Sequence, residues 1–255
     1  MQKENLVLVH SFPTNSILLK GYSDYLSDHY MVYFIDLPGF TKAVPPLDRV
    51  SLDGFCRFVE SRIGELNLDH YLIEGISFGF AIVNQLDLSE NCKGIIAVEP
   101  FLGCESLIMK TTQRALLSSV IRMICALKLY SLFWKSLLFA SYLPKLGGYP
   151  AETMEILFEQ IDGRTFFETA RLILCDRFRY RFHNLPYALL ANRQDRSVNF
   201  EYIYRTLSRN VKNLLVINIE VEHYPRDTSK EYFQQMVPDD VFPKIASFFS
   251  RALAL

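Results

Sequence analysis

Six short apolar runs separated by helix-period segments constrain the fold of this chain more than any other feature. They occupy 6–10, 31–36, 71–76, 94–99, 186–192 and 214–219. None alternates apolar and polar residues, which is the pattern of strands packed on both faces. Between them, 51–66 is the clearest helix: Ser51 can cap its start, and Leu52, Phe55, Val59, Ile63 and Leu66 fall on one face. Strands alternating with helices predict an α/β fold, a six-stranded, mostly parallel sheet wound by right-handed crossovers. No internal repeat is present.

The alternation breaks once. From Phe101 to about Leu185 the pattern is helical without a convincing strand, and Pro144, Gly147, Gly148 and Pro150 split that block in two. The expected organisation is therefore a core built from 1–100 and 186–255, with 101–185 inserted after the fourth strand as a helical cap. Such a lid would lie over the carboxyl edge of the sheet, where α/β folds place their sites. The length of 255 residues fits one large domain or a domain plus an insertion.

Half of the residues are apolar and 22% are charged, so the chain can bury a core; disorder and low complexity are excluded. A net charge of −1 gives no global pull toward nucleic acid. Locally the balance differs: 106–151 carries Lys110, Arg114, Arg122, Lys128, Lys135 and Lys145 and no acidic residue. The five cysteines are widely spaced without a Cys-x-x-Cys pair, which reads as reduced thiols in a cytoplasmic protein rather than a disulfide frame or zinc site. The N-terminus carries no apolar signal core. The greasiest stretch, 115–143, is broken by Arg122, Lys128 and Lys135, so no transmembrane segment is expected.

The sharpest chemical signal is Gly75-Ile76-Ser77-Phe78-Gly79, between the third strand run and a helical segment carrying Ala81, Ile82, Gln85 and Leu86. A strand-to-helix turn that holds a serine hydroxyl clear of the backbone is so tight that small residues are needed two positions either side. His10-Ser11-Phe12-Pro13 follows the first strand and Asp36-Leu37-Pro38-Gly39-Phe40 the second; Asp195 follows the fifth and His223-Tyr224-Pro225 the sixth.

In that order, these motifs resemble the α/β-hydrolase fold family with a helical cap. The first is similar to a His-Gly-x-Pro oxyanion loop, the second to an Asp-x-Pro-Gly-x turn, and nucleophile, acid and histidine occur in the family's order. The resemblance implies that the chain begins at the family's third strand, without the usual N-terminal antiparallel hairpin. It also implies a Ser-His-Asp triad. Ser77 needs a base within hydrogen-bond reach, and His223 is the best candidate, since imidazole can accept and return a proton near neutral pH. Asp195 would hold its tautomer and stabilise the imidazolium. Glu99, ending the fourth strand, is a rival acid, because haloalkane dehalogenases carry theirs there; it could instead line the pocket or hold the cap. The backbone N–H groups of Phe12 and Phe78 would form the oxyanion hole, and those two rings with Trp134 would wall the substrate pocket.

Ser11, Phe80 and Glu222 replace small residues common in the family, and Glu74 sits in a strand expected to be buried, where it must find a partner or face the pocket. Serine rather than aspartate at the elbow argues against dehalogenase or epoxide-hydrolase chemistry. In the cap, Leu116, Leu117, Val120, Ile121, Ile124, Leu127, Phe133, Trp134, Leu137, Leu138 and Phe139 alternate with cations. This reads as an amphipathic lid, or as an acyl tunnel whose rim attracts anionic lipid or an acidic acyl carrier protein. Arg177, Arg179 and Arg181 interleave with Phe178, Tyr180 and Phe182; before a core strand this reads as the return leg of the cap rather than a nucleic-acid surface. The expectation is a serine hydrolase of an ester or thioester with an apolar acyl part, using no metal or organic cofactor. The alternatives are a carbon–carbon bond hydrolase of the same fold and a non-catalytic binding scaffold.

Overall fold

In the computed structural model, which describes residues 3–136, 139, 150–223, 227–238 and 240–252, strands and helices alternate from the first element. The order is β1 (Glu4–Val9), α1 (Lys20–Leu26), β2 (Tyr30–Ile35), α2 (Leu52–Leu66), β3 (Tyr71–Ile76), α3 (Phe78–Val83) and β4 (Cys92–Val98). Then come α4 (Thr111–Ala126), α5 (Tyr130–Phe133), α6 (Ala151–Gln160) and α7 (Gly163–Cys175). The chain ends with β5 (Tyr187–Ala191), α8 (Phe200–Asn210), β6 (Leu214–Asn218), α9 (Lys230–Met236) and α10 (Val241–Ala252). Leu137, Leu138, Pro144, Lys145, Gly147, Gly148, Tyr224 and Pro225, named above, lie outside the described residues.

The six strands form one parallel sheet in the order β2-β1-β3-β4-β5-β6. Because successive side chains point to opposite faces, each apolar run feeds two cores. Leu6, Leu8, Leu72, Ile96 and Leu190 pack with residues of α1, α9 and α10. Val7, Val9, Ile73, Ile95 and Leu189 pack on the other face with α2, α3 and α8. This double burial is why the strand runs show no alternation. In α2, the Ser51 hydroxyl accepts from the Gly54 N–H at 3.0 Å, and Phe55, Cys56 and Val59 are buried. Such a cap contributes about 1 kcal/mol.

The register brings the carboxyl ends of the strands level: Val9 pairs with Gly75, Gly75 with Ala97, Val98 with Leu190 and Ala191 with Asn218. The loops that follow therefore open on one edge of the sheet. The helical block between β4 and β5 stops at Cys175 rather than running to about 185. Residues 177–182 instead alternate exposed arginines with half-buried aromatics, a period of two that no helix can satisfy. The Tyr180 hydroxyl donates to the Leu102 carbonyl and Arg181 pairs with Asp87 at 3.1 Å, fastening this stretch to the sheet domain. Among the described residues, no helix is long and apolar enough to cross a membrane.

Candidate active site

The turn from β3 to α3 puts Ser77 at φ 48°, ψ −113°, a region that L-residues seldom occupy. The surrounding structure over-determines it. The Ser77 N–H donates to the Val98 carbonyl at 2.9 Å, and its own carbonyl accepts from Phe80 at 3.0 Å and Phe101 at 3.1 Å. The flanking glycines are required by close approach. A Cβ on Gly75 would stand 2.6 Å from the Phe80 Cα, and one on Gly79 would stand 2.2 Å from the Val9 carbonyl oxygen. Helix α3 thus sits directly on β1 and β3, with the serine at its mouth.

The loop after β1 is held by polar groups. His10 is fully buried; its Nε2 accepts from the Leu37 N–H at 2.9 Å, so its Nδ1 carries the proton shared with the Ser11 carbonyl at 2.8 Å. Burial holds this imidazole below its usual titration range. Asp36 accepts from both the amide and the hydroxyl of Ser16, and Asn15 donates to the Phe40 carbonyl at 2.9 Å. These contacts join the 10–16 loop to the 36–40 turn and fix the backbone around Phe12. The Phe78 N–H belongs to the first residue of α3, where a helix leaves its amides unpaired. Among the described residues, neither the Phe12 nor the Phe78 amide has a protein acceptor.

At the ends of β5 and β6 the remaining groups converge. Ser77 Oγ and His223 Nε2 are 3.0 Å apart. His223 Nδ1 lies 3.5 Å from Asp195 Oδ2, with both side chains nearly closed to solvent. Asp195 belongs to the turn begun by Asn192, whose side chain accepts from the Gln194 N–H at 2.9 Å. Its two oxygens divide the work: Oδ1 accepts from the Ser197 and Val198 amides, while Oδ2 faces the imidazole. Burial pushes this carboxyl upward, but His223 and the two amides outweigh it and hold Asp195 below the ordinary range.

Glu99 completes the cluster. It leaves β4 at φ 42° and is buried; its Oε1 accepts from the Asn192 N–H. Carboxylate oxygens of Glu99 and Asp195 and a nitrogen of His223 lie within 4.8 Å of one another. Burial first, and the neighbouring Asp195 charge second, push Glu99 up to about 8. At neutral pH the cluster therefore holds one ionised carboxylate, Asp195, and one protonated acid, Glu99. Among the described residues this is the one set of three such side chains close enough to share a cation. The second nitrogen of its imidazole is already committed to Ser77.

Above Ser77 lies a cavity of about 350 Å³ bordered by Ser77, His223 and mostly apolar side chains. Phe12 and Phe78 line it, as expected from the sequence. Trp134 does not, which corrects that part of the reading. Its indole is wedged behind the wall, 4.9 Å from the Phe166 ring centroid and 5.0 Å from that of Phe158. A Cβ on Gly163 would stand 2.7 Å from its Cγ, so the ring fills the gap that glycine leaves. The wall that the sequence reading missed belongs to α7. Phe166, Phe167, Ala170, Ile173 and Leu174 all face the cavity, and their spacing is that of one helix face.

No family model and no curated protein matches the sequence. Solved structures do match in shape. A hydrolase from Oleispira antarctica superposes with a TM-score of 0.72 at 15% identity, covering 98% of this chain and 92% of that one. An esterase from Thermogutta terrifontis gives 0.66 at 13% identity, covering 98% and 91%. An epoxide hydrolase from Bacillus megaterium gives 0.66 at 16% identity, covering 98% and 94%. With the parallel sheet, the serine turn and the loop order described above, this likeness shows that the chain has the α/β-hydrolase fold.

Proposed function

We propose that this protein is a serine hydrolase that cleaves esters or thioesters with an apolar acyl chain. The observation that carries the reading is the Ser77 hydroxyl, held at a left-handed backbone position 3.0 Å from the His223 Nε2. Ser77 Oγ attacks the acyl carbonyl while His223 accepts the hydroxyl proton. The Phe12 and Phe78 amides receive the developing oxyanion, and removal of one such donor costs roughly 10²–10³ in rate. His223 then protonates the leaving alcohol or thiol, leaving an acyl-Ser77 intermediate. A water molecule, deprotonated by His223, attacks that acyl group and regenerates the serine. Asp195 holds the imidazole tautomer and offsets its positive charge during both transfers. Glu99 stays protonated and keeps the site at a single negative charge. No step requires a metal or an organic cofactor.

The segment 101–185 serves as the cap, with α4 and α7 roofing the acyl cavity. Serine at the elbow favours acyl transfer over epoxide opening. The reading includes a cytoplasmic setting, which the five widely spaced cysteines without a Cys-x-x-Cys pair support. A series of p-nitrophenyl esters of increasing acyl length tests the reading. Each buried methylene is worth ~0.8 kcal/mol, so kcat/KM rises about fourfold per carbon until the cavity is filled. Acetate as the best substrate contradicts an apolar acyl site. Failure of the folded protein to turn over any ester contradicts catalysis and favours a binding scaffold.

A further inference from the structure

The inner face of α4 is used: Ile121 and Ile124 are buried, and Leu117 borders the acyl cavity. Its outer face is not. Leu116, Val120, Met123 and Leu127 follow one another at i, i+4, i+7 and i+11, with 69%, 37%, 46% and 62% of their surface exposed. Ile108, which borders the same cavity as Val120, is 52% exposed, and Leu132 of α5 is 68% exposed. A helix that only roofs a pocket carries polar residues on its solvent side, so a stripe of aliphatic side chains there implies a covering surface.

The charge of the segment that carries the stripe has one sign. Lys110, Arg122, Lys128 and Lys135 are exposed, and no acidic residue occurs anywhere in 106–151. All 28 acidic side chains lie elsewhere in the chain. An anionic surface therefore attracts this segment and repels the remainder, which orients the molecule as well as binding it. Three acids, Asp48, Glu168 and Asp176, line the groove that also holds Arg122 and Lys128, together with Arg49, Arg164 and Arg171; Arg171 pairs with Glu168 at 2.9 Å and Asp176 at 3.5 Å. We propose that the outer face of α4 and its continuation into α5 dock on an anionic lipid surface, with the mouth of the acyl cavity turned toward the bilayer.

Two features favour lipid over an acidic protein. The stripe offers aliphatic groups interrupted only by small, neutral Ser119, whose hydroxyl is turned back to the Ala115 carbonyl, which suits insertion between acyl chains. Val120 of the stripe and the exposed Ile108 also border the cavity, so an apolar path runs from the surface to Ser77. A lipid-dissolved acyl substrate could follow it without crossing water.

Flotation of the full-length protein with two kinds of vesicle tests this without any turnover, and so separately from the hydrolase reading. One is phosphatidylcholine alone and the other contains about 30% phosphatidylglycerol. The expected result is binding to the anionic vesicles that weakens with added salt and falls at least about tenfold in the triple variant Leu116→Gln/Met123→Gln/Leu127→Gln. None of the three residues borders the cavity, so circular dichroism and turnover of a short soluble ester should match the parent. Arg122→Glu/Lys128→Glu should weaken anionic binding several-fold. No flotation, or equal flotation with both vesicle types, overturns the proposal. So does a parent that is dimeric by light scattering and becomes monomeric in the triple variant, because a second copy then covers the stripe. Binding to an acidic acyl carrier protein without vesicle binding overturns it in favour of a protein partner.

Discussion

The sheet and the helical segment between β4 and β5 meet over Ser77, yet they satisfy their apolar residues by opposite means. In the sheet, Leu6, Val7, Leu8 and Val9 are wholly closed to solvent, and the next strands repeat this at Leu72, Ile73 and Ile95. In α4, buried Ile121 and Ile124 share a helix with Leu116 and Met123, which face outward. Polar groups differ in the same way. Those at the sheet edge are held by several partners each, as with Asp36, Asn15 and Asp195. Of the cations along α4 and α5, Arg114 donates to the Cys104 carbonyl at 3.1 Å, whereas Lys110, Arg122, Lys128 and Lys135 are exposed. A region with redundant contacts can hold a serine at a strained backbone position. A region with one unsatisfied face can vary what is bound without disturbing that serine. On the proposed function, the sheet edge carries the chemistry and the helices the selection.

The largest effect should come from the pair of carboxyls. Asp195→Asn leaves His223 in the wrong tautomer and should lower kcat about 10⁴-fold. Glu99→Gln replaces a protonated acid by a neutral amide of the same shape, so steady-state hydrolysis should fall less than about tenfold. The reverse ranking would move the acid role to Glu99 and break the assignment of the β5 turn. Next comes Gly79→Ala, whose Cβ meets the Val9 and His10 carbonyls at 2.2 and 2.5 Å. Overpacking of this kind costs about 1–3 kcal/mol, and a denaturant melt should show it together with loss of activity. A smaller and purely selective change is expected from Leu117→Trp in the helical segment. The indole should occupy part of the cavity and reduce kcat/KM for the longest accepted ester about tenfold relative to a short one. Equal loss on all esters would mean that the helices contribute to chemistry after all.

The sheet side was legible in the sequence because its signals are local and periodic. Uninterrupted apolar runs marked doubly buried strands, and the Gly75–Gly79 spacing marked a turn in which both glycines prove to be required by backbone approach within 3 Å. The loop order then placed Ser77, Asp195, Glu99 and His223 on one edge. That Glu99 and Asp195 would lie within 4.8 Å of a shared imidazole was not legible, since it depends on how far two loops fold back. The helical side was read less well. Trp134, expected at the pocket, packs against Phe158 and Phe166 instead, and the sequence does not say which way its ring points. The wall of α7 carried a readable helix-face spacing at Phe166, Phe167, Ala170, Ile173 and Leu174. The expectation of helix to about 185 overlooks a readable signal: Arg177, Arg179 and Arg181 alternate with Phe178, Tyr180 and Phe182 at a period of two, which is not that of a helix.

Glu74 belongs to the sheet side and gives the smallest expected effect. It is buried in β3, accepts from the Tyr22 hydroxyl at 2.8 Å and is pushed up to about 8 by burial. Between the ordinary value of 4.5 and about 8, the folded protein keeps a proton that the unfolded chain has lost. The stability this group contributes is therefore full below the ordinary value and declines as pH rises toward 8. Thermal melts from about pH 5 to about pH 8 should fall less steeply for Glu74→Gln than for the parent, and a slope unchanged by the substitution would exclude this carboxyl as a cause.

Reaction with a fluorophosphonate, followed by peptide mapping, tests the central claim most directly, because the reagent labels only a serine made nucleophilic by its surroundings. One adduct per chain is expected, located on Ser77, absent from Ser77→Ala and strongly slowed in His223→Gln. An adduct on another residue, or none on the folded parent protein, would contradict that claim.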